Sequence, residues 1–252
     1  MSFVVAADAY DRFMGRYSTR LAPVFADFAG VVGDVRALDL GCGPGALTAE
    51  LVRRVGADRV AAADPSEPFV AAARERFPGV DVQLAPAESL PFDDDGFDAA
   101  LAQLVVQFMS DPVAGLREMA RVTRSGGTVA ACVWDVAGAS PLTPFWRAVR
   151  SFEPGAFDES ERVGTQEGQL AAVFGQAGLR DVVSDAISVR VEHERFDDWW
   201  QPFLLGVGPA GQKVASLDDD ERAALRERCR EQLGDGPFSI PSRAWAARGT
   251  VA

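Results

Sequence analysis

"ALDLGCGPGAL", residues 37–47, decides the fold. A short apolar run passes straight into a loop with glycine at positions 41, 43 and 45. Glycine lets the chain turn sharply there and leaves room for a ligand to approach the backbone. A strand that feeds a helix through such a loop is the opening unit of an open α/β sheet, whose ligands sit at the carboxyl ends of the strands. Yet Asp39 places a carboxylate two residues before the first glycine, where a phosphate would be repelled.

Working outward, the strand candidates are 35–40, 59–64, 80–85, 97–104 and 127–134. All are nearly continuous small or branched apolar runs, as expected of strands covered on both faces. Helix candidates at 45–55, 66–77 and 112–124 lie between them, starting near Pro or Ser and ending near Gly or Arg. This alternation predicts a right-handed, doubly wound α/β sheet. After Asp135 the pattern changes. Residues 136–166, with Phe145, Trp146, Phe152 and Phe157, read as a loop-rich cap. Residues 167–179 read as an amphipathic helix stopped at Gly178, and 182–194 as a strand with Ile187, Val189 and Val191 on one face. A helical insertion over 196–233 and a last strand over 237–251 complete the pattern. The expectation is one domain over 1–252 with cap or lid insertions at 136–166 and 196–233.

The net charge is −12, Lys213 is the only lysine, and no basic stripe suits a nucleic acid. Cys42, Cys132 and Cys229 are far apart, which argues against a disulfide framework or a metal site. No apolar run approaches the roughly 20 residues of a membrane span, and "MSFVVAADAYDRF" lacks the features of a signal peptide. A soluble, cytoplasmic protein is the expectation, with a small neutral or cationic molecule as its partner.

Gly41, Gly43 and Ala46 satisfy the G-x-G-x-x-G/A dinucleotide pattern, and Asp64 stands 23 residues after Gly41, placed to accept ribose hydroxyls. Two features oppose a dinucleotide. Pro44 supplies no N–H to a pyrophosphate, and Asp39 repels it. S-adenosylmethionine (SAM) carries no phosphate, and its sulfonium and ammonium are cationic. A nucleoside with a cationic tail reconciles the glycines with the acid.

The chain resembles the class I SAM-dependent methyltransferases of the type 11 group, most closely over about residues 8–135. "ALDLGCGPGALT" is similar to that family's first motif and "VAAADPSEPFVAAA" to its ribose motif. The stretch from "PAESLPF" to "TVAACVW" follows its adenine loop, fourth strand, helix and fifth strand. The resemblance implies a mostly parallel seven-stranded sheet of order 3-2-1-4-5-7-6 with strand 7 antiparallel, and SAM as cofactor with S-adenosylhomocysteine (SAH) as product. It implies cofactor contacts at Asp39, Gly41, Cys42, Gly43, Asp64, Pro65, Ala87, Glu88 and Gln103, and at Tyr10, Arg16 and Tyr17 in "YDRFMGRYS". Arg16 would pair with the cofactor carboxylate. Pro86 departs from the family pattern, which has an acidic residue there.

Each residue has a structural rival role. Asp39 can bind local backbone donors, Asp64 can cap a helix, and Tyr10 and Tyr17 can pack a docked N-terminal helix. For His193, the single histidine, a surface or packing role outweighs that of a base. Gln107 can orient a substrate but cannot act as a base. Trp199, Trp200 and Phe203 are equally matched to a substrate wall and to core packing, and Asp135 is better suited to a turn. No residue is assigned as catalytic. The expected function is methyl transfer to a small, partly apolar or aromatic acceptor. An NAD-dependent oxidoreductase and a non-catalytic SAM-binding domain are the alternatives.

Overall fold

The computed structural model describes residues 7–156 and 159–252, so Phe157 and the first residues of the N-terminal segment lie outside the described residues. Helix α1 (Ala7–Tyr10) runs through a π-helical turn (Asp11–Gly15) into α2 (Arg16–Ala29). Then follow β1 (Ala37–Leu40), α3 (Ala46–Val55), β2 (Val60–Asp64), α4 (Glu67–Arg76), β3 (Asp81–Leu84), β4 (Phe97–Gln103), α5 (Pro112–Val122) and β5 (Thr123–Trp134). The remainder comprises α6 (Thr143–Phe152), α7 (Gln169–Ala177), β6 (Arg180–His193), α8 (Phe196–Trp200), α9 (Gly208–Ser216), α10 (Asp219–Leu233) and β7 (Phe238–Thr250). The seven strands form one sheet in the order β3-β2-β1-β4-β5-β7-β6. Strands β1 to β5 pair in parallel, and β7 runs antiparallel to both neighbours. Order and direction match the expectation.

Central strands β1 and β2 are buried along their whole length, which is why they read as unbroken apolar runs. Strand β5 begins earlier than expected, at Thr123. The pairing with β4 jumps from Phe97↔Thr123 to Ala99↔Thr128, so the glycines at 126 and 127 form a bulge within the strand.

The largest difference from the sequence reading is α6, which replaces part of the expected loop-rich cap. Its Pro144 falls in the first turn, where a missing N–H costs no helical hydrogen bond. Phe145, Trp146, Ala148 and Val149 form its buried face. The insertion at 196–233 is helical, as expected. In α10 the Asp218 carboxylate accepts from Glu221 N at 2.8 Å while Asp218 N donates to Glu221 Oε2 at 3.1 Å. That reciprocal cap explains the acidic run at the helix start. Among the described residues, no helix is long and apolar enough to cross a membrane.

Candidate active site

The glycine loop is stapled to the neighbouring strand before any ligand is considered. Gly41 N and Cys42 N both donate to Ala63 O, at 2.7 and 3.1 Å. Gly43 N donates to Asp64 Oδ2 at 2.9 Å, and Ser66 N to Asp64 Oδ1 at 2.8 Å. Asp64 therefore caps the turn into α4 and holds the glycine loop with one carboxylate. Burial raises its pKa, and the two amide donors oppose that rise. Gly41 has φ +68, and a Cβ there would meet Val105 Cγ2 at 2.3 Å. Gly43 has φ +52, but a Cβ there would meet nothing within 4 Å. The chain needs the first glycine for packing. The second leaves open space beside the loop.

Asp39 lies at 1% exposure, and Thr48 Oγ1 donates to its Oδ2 at 2.6 Å. Burial drives its pKa up to about 7, opposed by the Thr48 bond and reinforced by the nearby Asp64. At the end of β4, Gln103 Nε2 donates to Ser18 O at 3.2 Å, while its buried Oε1 has no partner. Glu88 Oε1 accepts from Ser110 N at 2.7 Å and Asp111 N at 3.1 Å, tying its loop to the start of α5.

These groups surround a cavity of about 270 Å³ at the carboxyl ends of β1, β2 and β4. Of the residues implied by resemblance, Tyr10, Gly41, Gly43, Asp64, Pro65, Ala87, Glu88 and Gln103 line it. Asp39 and Cys42 do not; both are buried behind the loop.

Arg16 and Tyr17, also implied by the resemblance, do not line this cavity. Arg16 Nη1 donates to Asp198 O at 2.8 Å and approaches His193 Nδ1 at 3.4 Å. Tyr17 Oη lies 3.0 Å from His193 Nε2. A guanidinium can only donate, so Nδ1 accepts and Nε2 carries the proton toward Tyr17. Burial, aided by the Arg16 charge, lowers the His193 pKa to about 4. His193 is a neutral packing residue, stacked on Phe238 with ring centroids 5.3 Å apart.

Trp199, Trp200 and Phe203 do not line the cavity either. They join Phe196 and Phe145 in a buried aromatic cluster, with Phe145 and Phe203 stacked at 4.7 Å. Core packing is their role. Asp135 accepts from Arg243 Nε at 2.8 Å and Gly138 N at 3.0 Å, so it is a turn residue as expected.

The other half of the cavity is walled by Phe13, Met14, Trp134, Leu142, Glu159 and the segment Val207–Ala210. Of these the sequence places only Trp134, just past the fifth strand, where the sheet opens to the acceptor. Glu159 is 5% exposed; Trp146 Nε1 donates to its Oε2 at 3.3 Å. Burial raises its pKa to about 7, against the opposing effects of that bond and of Arg162. In the sequence Glu159 is one of four acids of the expected cap, with Glu153, Asp158 and Glu161, and nothing local singles it out.

The cavity is lined by Asp64, Glu88 and Glu159, and by no Lys or Arg. That charge, the unpartnered Gln103 Oε1 and the open space beside Gly43 fit a nucleoside with a cationic tail. No cation is there to balance a diphosphate.

Residues 38–131 match the family described as "Methyltransferase domain". The chain is 35% identical over 162 residues to the demethylmenaquinone methyltransferase of Beutenbergia cavernae, covering 58% of this chain and 66% of that protein. It is 36% identical over 135 residues to an uncharacterized methyltransferase of Mycobacterium tuberculosis, covering 54% and 52%. The chain thus spans only about half to two-thirds of the length of such curated relatives, 52% to 66% for these two. In three dimensions it superposes on the YcgJ protein of Bacillus subtilis with a TM-score of 0.58 at 20% identity, covering 91% of this chain and 97% of that one. At that identity the likeness concerns the fold. The strand order, the glycine loop closed by an acid from β2 and the matched motifs lead to one assignment: residues 38–131 carry a methyltransferase domain of the class I, SAM-dependent type 11 group.

Proposed function

We propose that this chain transfers a methyl group from SAM to a small, apolar, ring-bearing acceptor. The observation that carries the reading is the charge of the cavity wall, which among the described residues holds three carboxylates and no basic side chain. Such a wall attracts a sulfonium and an ammonium and repels a pyrophosphate. When bound, SAM supplies a methyl group on a positively charged sulfur, already a good leaving group.

In this reading the residues share the work. Asp64 accepts the ribose hydroxyls with lone pairs left over from its two amide donors. Gln103 offers its free amide oxygen to the methionine ammonium. Tyr10, Gly41, Gly43, Pro65, Ala87 and Glu88 enclose the nucleoside. Asp39 acts from behind the loop, through Thr48 and through its field. The insertions act as a lid by way of Leu142 and Val207–Ala210, which exclude water and hold the acceptor in line. Alignment of this kind can lower a barrier by about 7–11 kcal/mol.

The apolar walls Phe13, Met14, Trp134 and Leu142 support a ring as the acceptor. The names of two relatives agree with this: the demethylmenaquinone methyltransferase, and the 2-methyl-6-phytyl-1,4-hydroquinone methyltransferase of Arabidopsis thaliana, 28% identical over 218 residues. All three cysteines are free and buried, which suits a reducing compartment such as the cytoplasm.

Titration calorimetry tests the cofactor. SAH should bind and NAD should not, and Asp64→Asn should weaken SAH by about 10- to 100-fold. Tight NAD binding without SAH binding would replace this reading by an oxidoreductase. SAH binding without turnover of labelled SAM would leave a binding domain.

A further inference from the structure

Glu159 is a buried acid in the cavity whose apolar walls are Phe13, Met14, Trp134 and Leu142. Trp146 Nε1 holds Oε2, and among the described residues no donor reaches the other carboxylate oxygen. At the walls of the same chamber, Trp134 Nε1 is a buried donor without a partner and Gln107 Oε1 a buried acceptor without one. Gln107 is fixed beside the Glu159 turn, since Arg162 Nη1 donates to its backbone oxygen at 3.1 Å. We propose that Glu159 is the general base of methyl transfer and that the acceptor is a ring hydroxyl, a phenol or hydroquinone, methylated on oxygen.

The proposal rests on the methyltransferase reading and adds the acceptor atom. A hydroxyl is both donor and acceptor, so it satisfies a carboxylate together with an indole N–H. An ammonium would leave the indole unpaired, and a carboxylate would hold an amine in its unreactive protonated form. A phenolate can react at oxygen or at ring carbon, and the proposal takes oxygen, the atom that Glu159 and the indole would hold. In the step, the hydroxyl proton passes to a Glu159 oxygen as the hydroxyl oxygen bonds to the methyl carbon. The carbon–sulfur bond breaks with its electron pair on sulfur. The products are the aryl methyl ether, neutral SAH and a Glu159 carboxylic acid, which returns its proton to solvent.

Glu159 is suited to this exchange because burial raises its pKa to about 7. Among the described residues the charge that acts on it is Arg162 on its own turn, and α6 gives it the Trp146 indole. The walls contributed by Gln107, Trp134, Leu142 and Val207–Ala210 are uncharged. Asp64, Glu88 and Tyr10 are the other titratable groups of the cavity, on the loop and helix that face the nucleoside.

Two readouts test it. The indole N–H resonance of Trp146, assigned with Trp146→Phe, is followed against pH in the SAH-loaded protein. It should shift with a midpoint near 7 in the parent protein and stay fixed in Glu159→Gln. Labelled SAM is then supplied with 2-methyl-1,4-naphthohydroquinone, kept reduced, as the probe acceptor. The parent protein should form the methyl ether, with a rate that falls below pH 7. Glu159→Gln should be about 100-fold slower or worse while binding SAH within about twofold. If Glu159→Gln does not fold, Trp146→Phe takes its place, and the pH midpoint of the rate should move upward because a donor to the carboxylate is gone. An indole signal that ignores pH, a Glu159→Gln protein with the parent rate and profile, or methyl placed on ring carbon overturns the role of Glu159 alone. A parent protein that binds SAH but leaves the probe unmethylated overturns the ring-acceptor reading, and this proposal with it.

Discussion

The two ends of the cavity are built by different physics. At the glycine-loop end the carboxylates of the wall are fixed by short bonds from backbone amides: Asp64 by Gly43 and Ser66, and Glu88 by Ser110 and Asp111. At the opposite end the walls are held by apolar packing between segments far apart in sequence. Phe13 meets Phe203 edge-on at 5.1 Å, and Phe203 stacks on Phe145. The first end is set by hydrogen bonds from backbone amides, the second by apolar contacts. Substitutions at the apolar end should therefore cost stability first, and those at the loop end should cost ligand first.

The largest effect expected is at Trp200, 1% exposed and stacked between Phe196 and Phe203. Trp200→Ala should destabilise the protein by about 3–5 kcal/mol, lowering Tm by roughly 10 °C, because the cavity it leaves cannot collapse. SAH affinity, measured well below that Tm, should stay within about twofold. A tenfold loss of SAH affinity in a folded Trp200→Ala protein would show that the two ends are coupled.

A middle-sized effect divides the glycine loop itself. Gly41→Ala combines a left-handed backbone with a clash on Val105, so it should cost about 1–3 kcal/mol of stability. Gly43→Ala meets no atom within 4 Å and carries only the backbone strain, about 1–2 kcal/mol. Its methyl group would instead enter the space open to the ligand, and SAH affinity should fall about tenfold or more. Thermal melts and calorimetry on both variants check this. Equal stability losses and equal affinities would remove the distinction between a glycine kept for packing and one kept for ligand.

The same division explains what could be read from the sequence. Asp64 and Gly43 are 21 residues apart, but they are joined by a strand pair whose register any parallel β1–β2 unit would share. The alternation of elements and the place of the loop were legible for that reason. Glu159 and Val207 reach the cavity only through the packing of α6, α8 and α9, which no period in the sequence announces. The N-terminal segment shows the point on a small scale. In an unbroken α-helix Tyr10 and Tyr17 would share a face at i, i+7. The π-helical turn at Asp11–Gly15 inserts an offset, so Tyr10, Phe13 and Met14 line the cavity while Tyr17 turns to His193. Nothing in "YDRFMGRYS" marks that turn.

The smallest effect expected is also the sharpest check of that offset. Arg16→Gln removes the guanidinium that opposes protonation of His193. Because His193 is the single histidine, its ring proton resonance can be followed without ambiguity. Its midpoint should lie near 4 in the parent protein and move upward in the variant. A histidine whose folded pKa lies below its unfolded value of 6.5 gives stability that is present above pH 6.5 and is lost as pH falls toward 4. Asp39 and Glu159, both raised to about 7, act in the opposite sense: their contribution is present in acid and is lost as pH rises through 7. Those carboxylates are common to both proteins and cancel in the comparison. The urea midpoint of Arg16→Gln should therefore lie below that of the parent at pH 7.5, by the equivalent of about 1 kcal/mol, and the gap should narrow at pH 5. SAH affinity should be unchanged within about twofold. If Arg16 instead clasped the cofactor carboxylate, the loss of a bidentate charge-assisted pair would weaken SAH by about tenfold or more, with no movement of the histidine resonance.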